Sequence, residues 1–247
     1  QQVVFRRKQV EADPELARKL EELKQRDQVT GLLNRQTFLH ALEDAVADAA
    51  KHNGHHGLLM IEPDHYQRLL HEIGLDNADA LLAAIAERLR SELDERCVAA
   101  RFSETSLAVL LRGADHAATE TLATRIRNTF AAEVFAVGRR SLVITASIGG
   151  VQISEKIASV GQILAKASEF LQSAQGTGGN RLELFDPSAV DRAEVERIQA
   201  WVQRLRDALV SRKFVLHFQP VISLQGETTP IYDTFLRLDN GEGELIG

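Results

Sequence analysis

The chain has 247 residues, 44% of them apolar and 26% charged, and 29 basic against 35 acidic side chains leave a net charge of −6. This length suits one good-sized domain plus a fragment, or two small domains, and the acidic balance excludes a basic field for nucleic acid or anionic lipid. One cysteine, Cys97, excludes an internal disulfide and fits a reducing, cytoplasmic setting, and no apolar run nears the roughly 18 residues of a membrane span.

Val3, Val4 and Phe5 followed by basic residues read as the end of a strand. The start QQVVFRRKQ lacks a Met and the apolar core of a signal peptide, so residues 1–12 are expected to be the tail of an upstream sensor domain. Asp13-Pro14 then opens a helix, with Asp13 as N-cap and Pro14 in the first turn. Leu16, Leu20 and Leu23 share one face, so residues 13–27 read either as a linker coupling sensor to output in a dimer or as an ordinary amphipathic connector. Gly31 breaks this helix and Asn34 caps the next, which runs to about Lys51 with Phe38, Leu42 and Val46 inward. The run Lys51-His52-Asn53-Gly54-His55-His56 holds three histidines without helical or zinc-ribbon spacing, and a solvated loop is expected.

Gly57 to Ile61 is an apolar strand ending in Glu62-Pro63-Asp64. A helix over Tyr66–Ile73 turns at Gly74, and Asp76-Asn77 cap a helix through Leu93. Val98–Phe102 and Leu107–Leu111 then flank Ser103, Glu104, Thr105 and Ser106, the pattern of a β-hairpin displaying its turn at a sheet edge. Helices follow at Ala117–Phe130 and Val160–Ala174, and strands at Leu142–Val151 and Leu182–Phe185. Strands alternating with helices around one hairpin predict an α/β (α+β) sandwich with a mixed central sheet. Asp186-Pro187 ends that domain. Beyond it come a helix, Asp191–Val210, with the apolar stripe Val195, Ile198, Val202, Leu205 and Leu209, a strand Phe214–Leu224, a turn at Gly226 and a strand Ile231–Leu238.

Two segments carry a resemblance. Asp27-Gln28-Val29-Thr30-Gly31-Leu32-Leu33-Asn34-Arg35 is similar, nearly position for position, to the opening motif Asp-x-Leu-Thr-Gly-Leu-x-Asn-Arg of the GGDEF family, the cyclases that make cyclic di-GMP from GTP. The hairpin Arg101-Phe102-Ser103-Glu104-Thr105-Ser106-Leu107 resembles that family's Arg-Tyr-Gly-Gly-Asp-Glu-Phe with its working residues replaced. The resemblance implies a GGDEF domain over residues 28–187. It places the family's magnesium ligands at Glu62, which keeps the charge, and Thr105, which does not. A neutral hydroxyl lacks the electrostatic attraction that a hard dication needs. The guanine-reading positions fall on Leu70 and Asp79, and the phosphate-binding cations on Gln175 and Gly179. Side chains at Ser103 and Glu104 remove the close approach of two glycines. The family's inhibitory Arg-x-x-Asp falls on Asp94 and Cys97 and is missing. The surviving Glu62 and Asp79 read equally as plain surface carboxylates or helix-cap neighbours. A catalytically dead cyclase fold, with no metal and no cofactor, is the expectation.

Phe218-Gln219-Pro220-Val221 and Asp233-Thr234-Phe235-Leu236-Arg237 resemble the opening of EAL domains, the barrel-shaped phosphodiesterases and receptors of cyclic di-GMP, whose motifs read Tyr-Gln-Pro-Ile and Glu-Ala-Leu-Leu-Arg. Residues 188–247 would then begin a TIM-barrel-like domain. The resemblance implies that Gln219, Asp233 and Arg237 face cyclic di-GMP, with Asp233 one methylene shorter than the metal-binding glutamate. Two degenerate domains in tandem resemble the regulators of type IV pili and twitching motility. That likeness implies a non-catalytic effector that binds cyclic di-GMP through the complete EAL domain, acts on a protein partner in the pilus or motility machinery, and sits in the cytoplasm, with a polar position and a homodimer as options. The alternative is a phosphodiesterase with a regulatory GGDEF domain.

Overall fold

The computed structural model describes residues 14–157, 159–222, 230–239 and 245–246. The expected strand over residues 3–10, the Asp13 cap, the end of the strand at 223–224 and the turn at Gly226 lie outside these residues. The chain divides into two compact units, one ending at Pro187 and the other starting at Ser188.

The first unit opens with α1 (Pro14–Lys24) and α2 (Arg35–His52). Asn34 caps α2 as its sequence predicts, its side chain accepting from Thr37 N at 2.9 Å, and Gly31 takes the left-handed conformation (φ +68°) that separates the two helices. The centre is a five-stranded sheet in the order β2-β3-β1-β6-β7, formed by β1 (His56–Pro63), β2 (Cys97–Arg101), β3 (Leu107–Arg112), β6 (Ala146–Ile153) and β7 (Leu182–Phe185). Only β6 and β7 pair in parallel, so the sheet is mixed, as expected.

Helices cover both faces, which is why β1 and β6 are buried along almost their whole length rather than at alternate residues. Leu58, Met60, Ala108 and Leu110 pack with Phe38 and Leu42 of α2 and with Ile163 and Leu171 of α6 (Val160–Gly176). Their sheet neighbours Leu59, Ile61, Val109 and Leu111 point the other way. There they meet α3 (Tyr66–Ile73), α4 (Ala78–Ser91) and α5 (His116–Ala132), with Leu81, Ile85, Ile126 and Phe130 in the layer.

Three sequence expectations need correction. The strand over Leu142–Val151 is two strands. A ribbon of β4 (Val134–Val137) and β5 (Arg140–Val143) turns at Gly138 (φ +60°), and β6 starts afresh at Ala146. The ribbon buries only Phe135, Val137 and Leu142, so its period-two pattern is weak beside the fully buried β6. Asn77 does not cap α4: a 3-10 turn at Leu75–Asn77 precedes the helix, and the Asn77 amide donates back to Ile73 O at 2.8 Å. The three-histidine segment is not wholly a solvated loop. His52 ends α2, while His56 starts β1 and is buried, its Nδ1 accepting from Gly113 N (3.2 Å) and its Nε2 bonded to Asp48 (2.9 Å). Bonds to His56, and then to His52, hold the Asp48 carboxyl below the usual carboxylate range.

The second unit contains the body of α7 (Pro187–Val210) and an antiparallel sheet ordered β10-β9-β8, from β8 (Phe214–Val221), β9 (Ile231–Asp239) and β10 (Leu245–Ile246). The residues expected to open a barrel thus fold as one helix and a small sheet. Ala208 and Leu238 are buried where helix and sheet meet, and Lys213 N and Asp239 N bond to Ala208 O and Lys213 O, each at 2.9 Å.

Candidate functional site

The site is the edge where the β2–β3 turn, the end of β1 and the end of α6 come together. The turn closes on Ser103: its hydroxyl accepts from Ser106 N (3.0 Å) and Thr105 N (3.3 Å), and Ser106 O receives Phe102 N (2.9 Å). Ser and Thr side chains offer such local bonds where no glycine is available. Glu104 is exposed at the tip, whereas Ser106 and Leu107 are buried, Leu107 starting β3.

Glu62, half-buried near the end of β1, lies beneath this turn. Its Oε1 accepts from the Ser106 hydroxyl and from Thr105 Oγ1 (3.3 Å), and its Oε2 from Gln175 Nε2 (2.9 Å). Ser103 Oγ donates in turn to Ser106 Oγ at 2.8 Å. Glu62 is therefore neither a plain surface carboxylate nor a cap: three neutral donors occupy both of its oxygens.

Beside it lies a second carboxylate that sequence reasoning passed over. Asp64 is buried and accepts from Thr145 Oγ1 (2.6 Å), Ser147 Oγ (2.7 Å) and Asn180 N (2.7 Å). It ties β1, β6 and the α6–β7 loop into one node. Gly179, at φ +74°, lies against it, and a Cβ there would come within 2.8 Å of the Asp64 carboxyl carbon. The only sequence signal for Asp64 was its place two residues beyond Glu62.

The remaining positions are dispersed. Leu70 is buried in the apolar core, whereas Asp79 is exposed in the first turn of α4. Asp94 and Cys97 sit together at the start of β2, with the Cys97 thiol 3.5 Å from Asp94 Oδ1. Bonds from Arg96 hold the Asp94 carboxyl low, while burial pushes the Cys97 thiol up. Behind the hairpin, Arg101 reaches Asp27 at 3.3 Å and Ser103 O at 3.3 Å, joining the segment after α1 to the turn. In the second unit, Gln219 pairs opposite Asp233 and Val215 opposite Arg237, so strand alternation puts Gln219, Asp233 and Arg237 on one face. The Arg237 guanidinium lies 5.6 Å from the Phe235 ring centre.

These donors do not fit a magnesium ion. A hard dication needs several oxygen ligands with anionic charge among them, and here Thr105 and Gln175 offer neutral groups already engaged with Glu62, while the oxygens of the neighbouring Asp64 are taken by Thr145, Ser147 and Asn180. Among the described residues no group of three or more His, Cys, Asp or Glu is placed to hold a metal. Nor is any described helix long and apolar enough to cross a membrane.

The chain is 27% identical to the cyclic di-GMP phosphodiesterase NbdA of Pseudomonas aeruginosa, over 92% of this chain and 29% of that protein. It is 26% identical to the bifunctional diguanylate cyclase/cyclic di-GMP phosphodiesterase MucR of the same species, over 93% of this chain and 33% of that one. It thus spans about a third of the length of these curated relatives. The crystal structure of the FimX GGDEF domain from P. aeruginosa superposes with a TM-score of 0.62 at 28% identity, over 64% of this chain and 98% of that one. Residues 24–181 match the model of the diguanylate cyclase GGDEF domain, and the chain belongs to that family, the GGDEF domains of cyclic di-GMP signalling proteins.

Proposed function

We propose that the GGDEF domain, residues 28–187, is non-catalytic and serves as a scaffold or interaction module in cyclic di-GMP signalling. The observation that carries this reading is the engagement of Glu62 by Ser106, Thr105 and Gln175. Joining two GTP molecules calls for a metal at the α-phosphate and cations along the triphosphate. This site supplies neutral donors in both places and a leucine, Leu70, where a purine edge would be read. Residues 1–12 and 13–27 are, on the same reading, a sensor tail and a signalling linker.

Residues 188–247 are, in this proposal, the opening of a degenerate EAL domain that binds cyclic di-GMP in its complete form. Gln219, Asp233 and Arg237 sharing one face supports it, since a guanidinium suits a phosphate well. The likeness of residues 218–238 to regulators of type IV pili and twitching motility motivates a pilus or motility protein as partner. The test has two parts. The chain incubated with GTP and magnesium or manganese yields no cyclic di-GMP above a protein-free control; clear product ends the proposal. In the protein with a complete EAL domain, Arg237→Ala weakens cyclic di-GMP binding by roughly 10- to 100-fold, as loss of a charge-assisted bond entails.

A second reading, a phosphodiesterase with a regulatory GGDEF domain, is favoured by the likeness to NbdA over 92% of the chain. Brisk hydrolysis by the wild type that Asp233→Ala abolishes would select it.

A further inference from the structure

We propose that His56 is a pH-sensitive latch between α2 and the turn that leads from β3 into α5. Neutral, the ring bonds both partners; protonated, it keeps α2 and releases the turn. It is buried at the start of β1, at the opposite end of that strand from Glu62.

The two neighbours of the ring fix where its proton sits. A backbone N–H only donates, so the nitrogen 3.2 Å from Gly113 N, Nδ1, carries no proton. The proton of the neutral ring is then on Nε2, 2.9 Å from Asp48 Oδ2, where a carboxylate accepts it. A second proton, on Nδ1, would set one N–H against another, and the Gly113 bond is lost. The Asp48 bond strengthens instead, because both of its partners are then charged. Gly54 makes room for this pair: a Cβ there would fall 2.0 Å from Asp48 Oδ2 and 3.0 Å from His56 Nε2.

The charges around the ring come from several elements. α2 presents Asp48 and also His52, whose Nδ1 takes the other oxygen of the same carboxylate at 3.0 Å. β3 presents Arg112, directly opposite His56 in register, and β6 the apolar Ile153. At the start of α5, Asp115 accepts from Ala118 N and His116 lies 4.0 Å from Asp186. Lys51, His55, Glu155 and Lys156 are exposed, and the first turn of α6 holds no acid. A charged His56 thus keeps one oxygen of Asp48 to itself, while Arg112 adds no acceptor that could replace what the turn loses.

The other ties of the turn do not titrate. Ala114 N donates to His55 O and Gln152 Nε2 donates to Ala114 O, each at 2.9 Å, through backbone and amide groups. Among the described bonds from this turn to neighbouring strands, the one from Gly113 ends on a group that changes charge between about pH 5 and 8.

Nuclear magnetic resonance of the whole chain with isotope-labelled histidine tests this. At about pH 8, above the imidazole range, the His56 ring shows Nε2 protonated and Nδ1 bare. As pH falls, exchange of the Gly113 amide, corrected for its intrinsic pH dependence, speeds by roughly 3- to 10-fold, the loss of one neutral hydrogen bond. The change shares its midpoint with the titration of the His56 ring. The Asn53 amide, which donates to Asp48 O on the α2 side, keeps its protection. His52→Gln, at an exposed position, leaves the Gly113 response in place. A His56 ring with its proton on Nδ1 at about pH 8 overturns the proposal. So does a Gly113 amide whose protection ignores the titration of the ring, a response that His52→Gln abolishes, or a ring that stays neutral until the chain unfolds.

Discussion

Gln175 Nε2 donates to Glu62 Oε2 at 2.9 Å, across 113 residues of sequence from α6 to β1. With the Thr105 and Ser106 hydroxyls on the other oxygen, this bond makes Glu62, which the family resemblance matches to a metal ligand, part of the protein's own hydrogen-bond network. A half-buried anion with neutral donors is satisfied without a cation, and that predicts how the site responds to change.

Gln175→Leu should cost about 1–3 kcal/mol, because it removes a donor from a half-buried carboxylate and puts nothing polar in its place. Gln175→Lys should cost far less, since an ammonium offers Glu62 the same contact with added charge. Urea midpoints of the two variants against wild type decide it. Equal losses would mean that the amide packs there and does not serve the carboxylate.

Thr105→Asp should make the site responsive to metal. Thr105 Oγ1 lies 3.3 Å from Glu62 Oε1, so the substitution sets two carboxylates side by side and lowers stability through their repulsion. Manganese then relieves the repulsion, and at 100 times its dissociation constant the gain is about 2.7 kcal/mol. The variant's Tm therefore rises by several degrees with manganese while the wild-type Tm does not move. A wild-type rise of the same size would show that Glu62 recruits a cation despite its donors.

How far the sequence foretold this depends on the range of the interaction. The strand and helix order and the Asn34 cap were legible because apolar period and capping are local properties. The proposed degeneracy at Thr105, Leu70 and Gln175 rests on side-chain identity at positions matched by the resemblance, which is a matter of sequence alone. The bond from Gln175 to Glu62 was not legible, and neither was the Asp64 node with Thr145, Ser147 and Asn180, since both assemble from segments distant in the chain. The β4–β5 ribbon escaped because a four-residue strand with half its residues exposed carries too little pattern. His56 reads as polar, and only the placement of Asp48 and Gly113 around it explains its burial.

Gly149→Ala should disrupt the first unit. A Cβ there would fall 2.2 Å from Leu171 N and 2.3 Å from Ala167 O, backbone atoms of α6 that cannot swing aside. Forcing α6 off β6 costs of the order of 1–3 kcal/mol or more. Gly161→Ala, where a Cβ meets nothing within 4 Å, is the matched control. Indistinguishable thermal unfolding of the two variants would contradict this close helix–sheet contact.

The Asp27–Arg101 pair gives the stability of the first unit an acid limb. Asp27 accepts from Thr30 N and Thr30 Oγ1, each at 2.8 Å, and from Arg101 at 3.3 Å. Burial pushes its carboxyl up, but the Thr30 bonds and the Arg101 charge outweigh burial and hold it below the usual 3.8. A carboxyl whose pKa falls on folding binds fewer protons in the native state, so stability grows as pH rises. Its contribution is complete above the unfolded value of about 3.9 and fades as pH falls through the lower folded value. Asp27→Asn keeps one acceptor but no charge, so at pH 7 it should cost roughly 1.5–3 kcal/mol. That gap should begin to narrow as pH falls below the unfolded value of about 3.9 and close only below the lower folded value, where Asp27 of the folded wild type is itself protonated. Comparing the two proteins at each pH cancels the titration of Asp48 and Asp94, whose carboxyls are also held low. A gap of the same size at pH 7 and at pH 3 would show that Asp27 acts through shape alone and that Arg101 holds the hairpin without it.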